Sequence, residues 1–450
     1  MKIGLEMHFQ LPTKSKLFCS CSTEGAEPNS HICPTCLGFP GSRPSLNRQA
    51  LEYGLMITKF LNCELHDRIW FSRKTYFYPD LPKNFQITMY ESPLGEHGHY
   101  MLNGKRIGIW RVHIEEDPGR IKRVGRSGEE VSLIDYNRSG VPLVEIVSAP
   151  DMSSPAEARD FVAELLVELR HLVGLSASDE QVARCDANIS VGEERVEVKN
   201  ILGLKNLERA LNYEVSRQTK MLSAGKEIIR ETRAFDEERK VTMPARKKEM
   251  EEEYGYIGEP DLGEYNVGEF ARGIVLPETP VRRAYRLQSQ YGISAVTAKQ
   301  IVMTSWGMAD LFEHLCLRLE PEKVVPKLLG PITSNWTAIE QRLDDHLRSQ
   351  ICRVIEDDIN GKITDSEARR AIATIAGGGN HVVEDRVLVE DELVRSVNEF
   401  LDAHPETVRD AKTNPKAANS VIGHVMKATK GKFQSKEIVE AVRRELEKRP

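Results

Sequence analysis

The 450-residue chain has no apolar run long enough to cross a bilayer. Its opening, MKIGLEMHFQLPTK, interrupts the apolar residues with Glu6 and His8, so the apolar core of a secretory signal is missing. These absences set the expectation of a cytoplasmic protein that does not contact a membrane. Nucleotide and hydrolase signatures are missing too: there is no Walker loop, no GxGxxG, no serine-hydrolase elbow and no HExxH pair. Any use of ATP must then rest on another phosphate site, and a zinc hydrolase is excluded. No internal repeat or low-complexity tract is present.

Four of the eight cysteines, Cys63, Cys185, Cys316 and Cys352, are scattered without a pairing pattern, as in a reducing compartment. The other four stand close together in FCSCSTEGAEPNSHICPTCLGFPG, as a C-x-C and a C-x-x-C on either side of a loop. Cys19, Cys21, Cys33 and Cys36 thus have the spacing of a small zinc site in which two tight turns each present two thiolates. Two disulfides are the alternative, and a reducing compartment favours the metal. Four thiolates fill a tetrahedron, so the expected zinc is a structural staple with no open position for substrate.

At this length two or three domains are expected. The net charge of −6 is uneven. Residues 401–450 carry 11 Lys+Arg against 7 Asp+Glu, or +4, which leaves −10 for the remainder, so the tail is a basic module on an acidic body. The fold class expected is α+β and multidomain: a strand-rich part over 1–283, an all-α part over 284–378 and a small helical tail over 379–450. In KIGLEMHFQL, Ile3, Leu5, Met7 and Phe9 alternate with Glu6, His8 and Gln10, the period of a half-buried strand. In KRIGIWRVHIEED the same period puts Arg111, His113 and Glu115 on one side and Trp110, Val112 and Ile114 on the other. VSLIDYNRSGVPLVEIVS reads as a hairpin turning at Asn137–Gly140. A helix is expected from Ser154, with Pro155 at its first position, Glu157 closing a capping box and Phe161, Leu165, Leu169 and Leu172 buried. A second runs from about Leu207 to Ala224 and stops at Gly225. ARKKEMEEEYGYIGEPDLGEY reads as a surface excursion leading out of the first domain. The triple glycine at 377–379 reads as a flexible joint.

Glu145 is the most informative residue. It interrupts the apolar strand GVPLVEIVS, where a carboxylate is costly to bury unless paired or metal-bound. A salt bridge to Arg138 is the structural explanation. The functional one is a magnesium–phosphate site made by Glu6, Glu115 and Glu145 with His8 alongside, because hard cations take oxygen ligands. SRKTYFYPDLPKNFQITMY interleaves Arg73, Lys74 and Lys83 with Tyr76, Phe77, Tyr78 and Phe85, a composition that suits a phosphate or a nucleotide end, or equally a packed loop. RCDANISV adds Asp186 and Asn188 beside Cys185, polar enough to line a cleft.

Taken together and in order, IGLEMH, GAEPNSH, RKTYFYPDLPKNFQI, HIEEDPGR, DYNRSGVPLVEIVS, RCDANIS and ETRAFDE, with the weaker VIGHVMKATKGKF, resemble the B subunits of the tRNA-dependent amidotransferases (GatB). The resemblance implies an enzyme that uses ATP and magnesium to phosphorylate the side-chain carboxylate of Asp-tRNA(Asn) or Glu-tRNA(Gln). Ammonia from an amidase A subunit then displaces the phosphate, and a small C subunit holds the other two together. It implies a cradle-shaped catalytic domain, a helical domain and a tail that touches misacylated tRNA. By motif, Glu6, His8, Glu115 and Glu145 are implied around the catalytic magnesium, Lys74 at the reacting end of the ammonia channel, and Lys74 and Glu116 in the ATP pocket. The competing expectation is a non-catalytic, zinc-stabilised RNA-binding protein, supported by the knuckle, the tail and the aromatic-basic stretch.

Overall fold

The computed structural model describes the chain apart from residues 26, 127–128, 176–183, 246–254, 380–385, 407, 409–414, 430–432, 434 and 450. It divides into two compact units, Met1–Thr279 and Pro280–Pro450. Among the described residues no helix is long and apolar enough to cross a membrane.

The first unit is built on a nine-stranded mixed sheet. Its strands run in the spatial order Val241–Pro244, Glu231–Asp236, Val196–Leu202, Arg184–Ser190, Lys2–Gln10, Pro142–Ser148, Lys105–Glu116, Gly95–Leu102 and Glu64–Leu65. All pairings are antiparallel except that between Val196–Leu202 and Glu231–Asp236. The Lys2–Gln10 strand, at the centre, keeps a clean alternation: Ile3, Leu5, Met7 and Phe9 are buried in the core, and Glu6, His8 and Gln10 face the other way. Helices Arg48–Phe60 and Pro155–Leu172 pack on the apolar side. The second begins as expected, with Ser154 Oγ accepting from the Glu157 amide at 3.1 Å and Phe161, Leu165, Leu169 and Leu172 buried. Its Glu157 carboxylate binds the Ser153 amide and hydroxyl instead of closing a box with Ser154. The next helix spans Leu204–Ser223, beginning earlier than its apolar spacing suggests because Gly203, at φ +79°, turns the chain into it.

Four expectations are corrected. VSLIDYNRSGVPLVEIVS is not a hairpin: Glu129–Asp135 pairs with Arg120–Arg126 in a separate ribbon, whereas Pro142–Ser148 lies between Lys2–Gln10 and Lys105–Glu116. The reason is burial, since Val131 and Leu133 are exposed while the continuous apolar run of Pro142–Ser148 suits a strand covered on both faces. Trp110 is 52 % exposed and does not share a face with Val112 and Ile114. The register slips there, with Arg111 opposite Val147 but Ile109 opposite Ser148, so Trp110 is the extra residue of a β-bulge. Ile107, Ile109, Val112 and Ile114 therefore all reach the core, and His113 and Glu115 face the other side.

The Gly- and Pro-rich stretch near 255–265 is no excursion out of the unit. Gly255–Gly258 pairs with Ser72–Thr75, and Glu264–Asn266 pairs with Arg68–Trp70. The charged residues 246–254 lie outside the described residues. Finally, Gly377 and Gly378 terminate the helix Asp365–Ala376. Gly378 takes φ +93°, the Gly379 amide donates to Thr374 O at 2.9 Å, and the Arg342 guanidinium caps Ile375 O and Ala376 O. The triple glycine is a pinned helix end.

The second unit is helical, as the spacing indicates. Ser305 caps Trp306–Cys316, and Thr364 with Glu367 forms a capping box on Asp365–Ala376. One apolar cluster draws on residues between Ala284 and Ala376, and a separate one on residues between Leu393 and Leu446.

Candidate active site and thiolate cluster

On the polar face of the sheet, register places Arg184, His8, Glu145 and His113 side by side on four adjacent strands. Backbone pairing thus brings His8 beside Glu145 across a separation of 137 residues. His8 Nε2 lies 3.2 Å from Glu145 Oε2 and 3.7 Å from Glu6 Oε1. His113 Nε2 lies 3.5 Å from the same Glu145 oxygen and 3.7 Å from Glu115 Oε2. Two donor sets result, Glu6–His8–Glu145 and His113–Glu115–Glu145, each with its donor atoms within 4.8 Å of one another. Glu145 belongs to both.

The Ser72–Thr75, Phe85–Thr88 and Gly255–Gly258 strands form a small sheet beside this cluster. Lys74 stands opposite Gln86 and Tyr256, and Thr88 Oγ1 donates to Glu115 Oε2 at 2.9 Å. Burial disfavours the Lys74 charge, but Glu115, Tyr256 and Glu145 outweigh it and hold the ammonium protonated. Asp186, opposite Glu6, accepts from Lys199 Nζ at 3.1 Å and from the Asn200 amide at 2.9 Å.

The acids compete for positive charge. The Glu145 carboxylate, with burial second, pushes Glu6 up to about 7. Burial would raise Glu145 and Glu115 as well, yet the two imidazoles reverse the direction, chiefly His113, and hold both below the usual carboxylate range. Burial alone would likewise lower His113, but Glu145 and Glu115 keep it at about 9, and Glu145 does the same in direction for His8. Four carboxylates with two lysines leave a deficit of positive charge, which protons on the histidines and Glu6, or a divalent cation, can fill.

The site therefore unites Glu6, His8, Glu115, Glu145 and Lys74. Glu116 is not among them: the next residue on the strand, it turns to the opposite face, where its carboxylate pairs with Lys83 and accepts from the Ile87 amide at 2.8 Å. Arg138 does not pair with Glu145; its guanidinium donates to Pro118 O and Gly119 O and lies near Asp117. The cations flanking Lys74 are used up in pairs, Arg73 with Glu259 and Lys83 with Glu116, while Phe77 and Tyr78 are exposed. Cys185 is in the core, and Asn188 lies two residues along the strand from Asp186. His113, Lys199 and Thr88 are site groups that sequence reasoning did not assign, while Asp186, expected to line a cleft, pairs there with Lys199. His113 carried a signal, since it shares a face with Glu115.

The four cysteines Cys19, Cys21, Cys33 and Cys36 converge into a second cluster in the same unit, with their sulfurs within 4.8 Å of one another. Cys33 precedes the short helix Pro34–Leu37, Gly38 ends it at φ +73°, and the Cys33 amide donates to Cys36 Sγ at 3.1 Å. A hydrogen bond from Cys19 is the first of several influences that draw the Cys36 thiol down to about 4. The set is what a tetrahedral thiophilic ion requires.

Residues 1–271 match the family model described as the GatB/GatE catalytic domain, and residues 310–446 match that of the GatB domain. Proteins named as the B subunit of aspartyl/glutamyl-tRNA(Asn/Gln) amidotransferase are similar over nearly the whole chain. The one from Methanospirillum hungatei is 40% identical, covering 96% of this chain and 95% of its own. That from Moorella thermoacetica is also 40% identical, with 96% of each covered. That from Saccharolobus solfataricus is 38% identical, with 99% of each covered.

Proposed function

The chain belongs to the GatB/GatE family, and from that membership and the site geometry we propose that it activates the side-chain carboxylate of a misacylated tRNA with ATP and delivers it to ammonia. It is one component of a glutamine-dependent aminoacyl-tRNA amidotransferase, an enzyme of translation. The finer reading is that the acid is carried by Asp-tRNA(Asn), Glu-tRNA(Gln) or both. An amidase subunit supplies the ammonia, a small third subunit joins the two, and the assembly works in the cytoplasm. The non-catalytic RNA-binding alternative is not supported, and it leaves the buried carboxylate–imidazole cluster without a purpose.

The observation that carries the reading is the sharing of Glu145 between two three-donor sets on one sheet face. Glu6, His8, Glu115 and Glu145 would hold magnesium, with His113 as a further donor, and the charge deficit of the cluster suits a divalent cation. When bound, magnesium neutralises charge on transferring phosphoryl oxygens and orients them.

The chain's own groups do the rest. A carboxylate is a poor acyl donor because oxide would have to leave, and phosphorylation supplies a better leaving group. Lys74, held charged beside Glu115 and Glu145, provides a fixed cation for the anionic groups that meet there. Thr88 orients Glu115, and the small three-stranded sheet shields this side of the cluster, which favours ammonia over water. We assign Lys74 to the ATP-facing and ammonia-facing side, while Glu116, on the opposite face, anchors Lys83 and the Ile87 amide. We read Cys19, Cys21, Cys33 and Cys36 as a structural zinc site, and the helical tail over 379–450, basic within residues 401–450, as a module for tRNA.

The test is reconstitution with the partner subunits and assay of both misacylated tRNAs side by side. ATP consumption and amide formation should appear together and only with a misacylated tRNA. Amidation without ATP consumption would refute the mechanism.

A further inference from the structure

Lys16 is among the largest fully buried side chains of the protein, at 0 % exposure. A buried ammonium is costly unless an anion accompanies it. Among the described residues no carboxylate lies within ion-pair distance of Lys16. Asp135 feels its charge only from farther off, and that carboxylate is taken by the Asn29 and Asn137 amides. The Lys16 Nζ instead donates to Tyr136 O at 3.2 Å and reaches Cys36 Sγ at 3.7 Å. Without a metal, Cys36 is drawn toward the thiolate, in part by Lys16 itself, whereas four thiolates around a divalent ion carry a net charge of −2 and balance the ammonium more fully.

We propose that Lys16 compensates the charge of the four-cysteine metal site from behind its ligands, and that it couples metal loading to the strand bearing Glu145. The coupling path is short. Lys16 holds Tyr136 O, the Leu17 amide donates to Gly140 O at 2.8 Å, and the turn so held leads directly into Pro142–Ser148. Gly140, at φ +88°, passes close to the lysine stem, with a side chain there meeting Lys16 Cδ at 3.4 Å. Metal, cation and turn are thus one packed block. The inference rests on the zinc reading above, so the experiment separates the two.

Full-length protein in its complex is prepared as parental, Lys16→Met and Lys16→Gln, the last keeping a donor for Tyr136 O without the charge. Zinc content is measured first, then zinc affinity by chelator competition, then thermal stability before and after metal removal. Both variants should bind zinc about 10–100-fold more weakly, the range for residues that support metal ligands. The stability change should also depend on the metal. Lys16→Met should cost more stability with zinc bound than after zinc removal, when the cluster presents less negative charge to the lysine. A purely packing role predicts the same loss in both states, and that result, or unchanged zinc affinity, would overturn the proposal. Absence of zinc from the parental protein would overturn the zinc reading itself.

Discussion

His8 and Glu145 face each other directly across the ladder between Lys2–Gln10 and Pro142–Ser148, with His8 Nε2 at 3.2 Å from Glu145 Oε2. His113 approaches the same oxygen from the other side, so one carboxylate atom is the point on which two imidazoles converge.

Glu145→Gln keeps the shape of this meeting point and removes its charge. Amidation should fall by about 100-fold or more, the effect of deleting one group from a preorganised electrostatic site. Glutamine hydrolysis in the amidase partner should persist. Parental amidation rates across a magnesium titration would refute the role assigned to Glu145.

Purified protein should contain one zinc per chain, by elemental analysis without chelators in the preparation. Cys33→Ser should lower thermal stability while the folded fraction keeps some amidation, because metal-binding free energy is part of folding free energy. A zinc-free but fully active preparation would contradict this.

Glu214 supplies a pH dependence that involves neither candidate donor cluster. Burial alone would raise its carboxyl, but hydrogen bonds from Arg217, Thr242 and Gln218 hold it below the usual range. A depressed folded-state value means the stabilisation is present above the unfolded carboxyl pKa of about 4.3 and is lost as pH falls toward the folded value. Glu214→Gln should cost about 3 kcal/mol at neutral pH, the low end for a broken buried pair, since Glu231 still reaches both Arg217 and Arg233. The acid limb of a denaturation series should flatten correspondingly.

Truncation after Gly379 removes an apolar cluster separate from the one between Ala284 and Ala376. The remaining chain should fold, bind tRNA more weakly and show a raised KM for tRNA with glutamine hydrolysis much less affected. Its log affinity should depend less steeply on log salt, because fewer counterions are released. Equal affinities and slopes in both proteins would make the +4 charge of residues 401–450 a solvated surface.

What was legible in the sequence was local. Period-two alternation identified the polar faces bearing Glu6, His8 and Glu115, a carboxylate inside an apolar run singled out Glu145, and helical spacing identified the second unit. What escaped depended on which strands are neighbours. His113 is aligned with Glu145 only through the pairing of two strands about 30 residues apart, and Glu116 is diverted by Lys83 and the Ile87 amide. Gly377–Gly379 has the composition of a joint, but Arg342, from a distant part of the same unit, pins it. Such nonlocal partners leave no trace in a window of ten residues.

The extra residue at Trp110 gives its strand a parity. Before it, odd-numbered side chains enter the core; after it, even-numbered ones do, and only this switch turns His113 and Glu115 toward Glu145. Loss of Trp110 itself would leave a regular ladder, with Ile107, Ile109, Val112 and Ile114 on one face and Arg111, His113 and Glu115 on the other, whereas loss of two residues there would put the two halves of the strand out of phase. The bulge therefore absorbs a single surplus residue and keeps the two halves of the strand in frame.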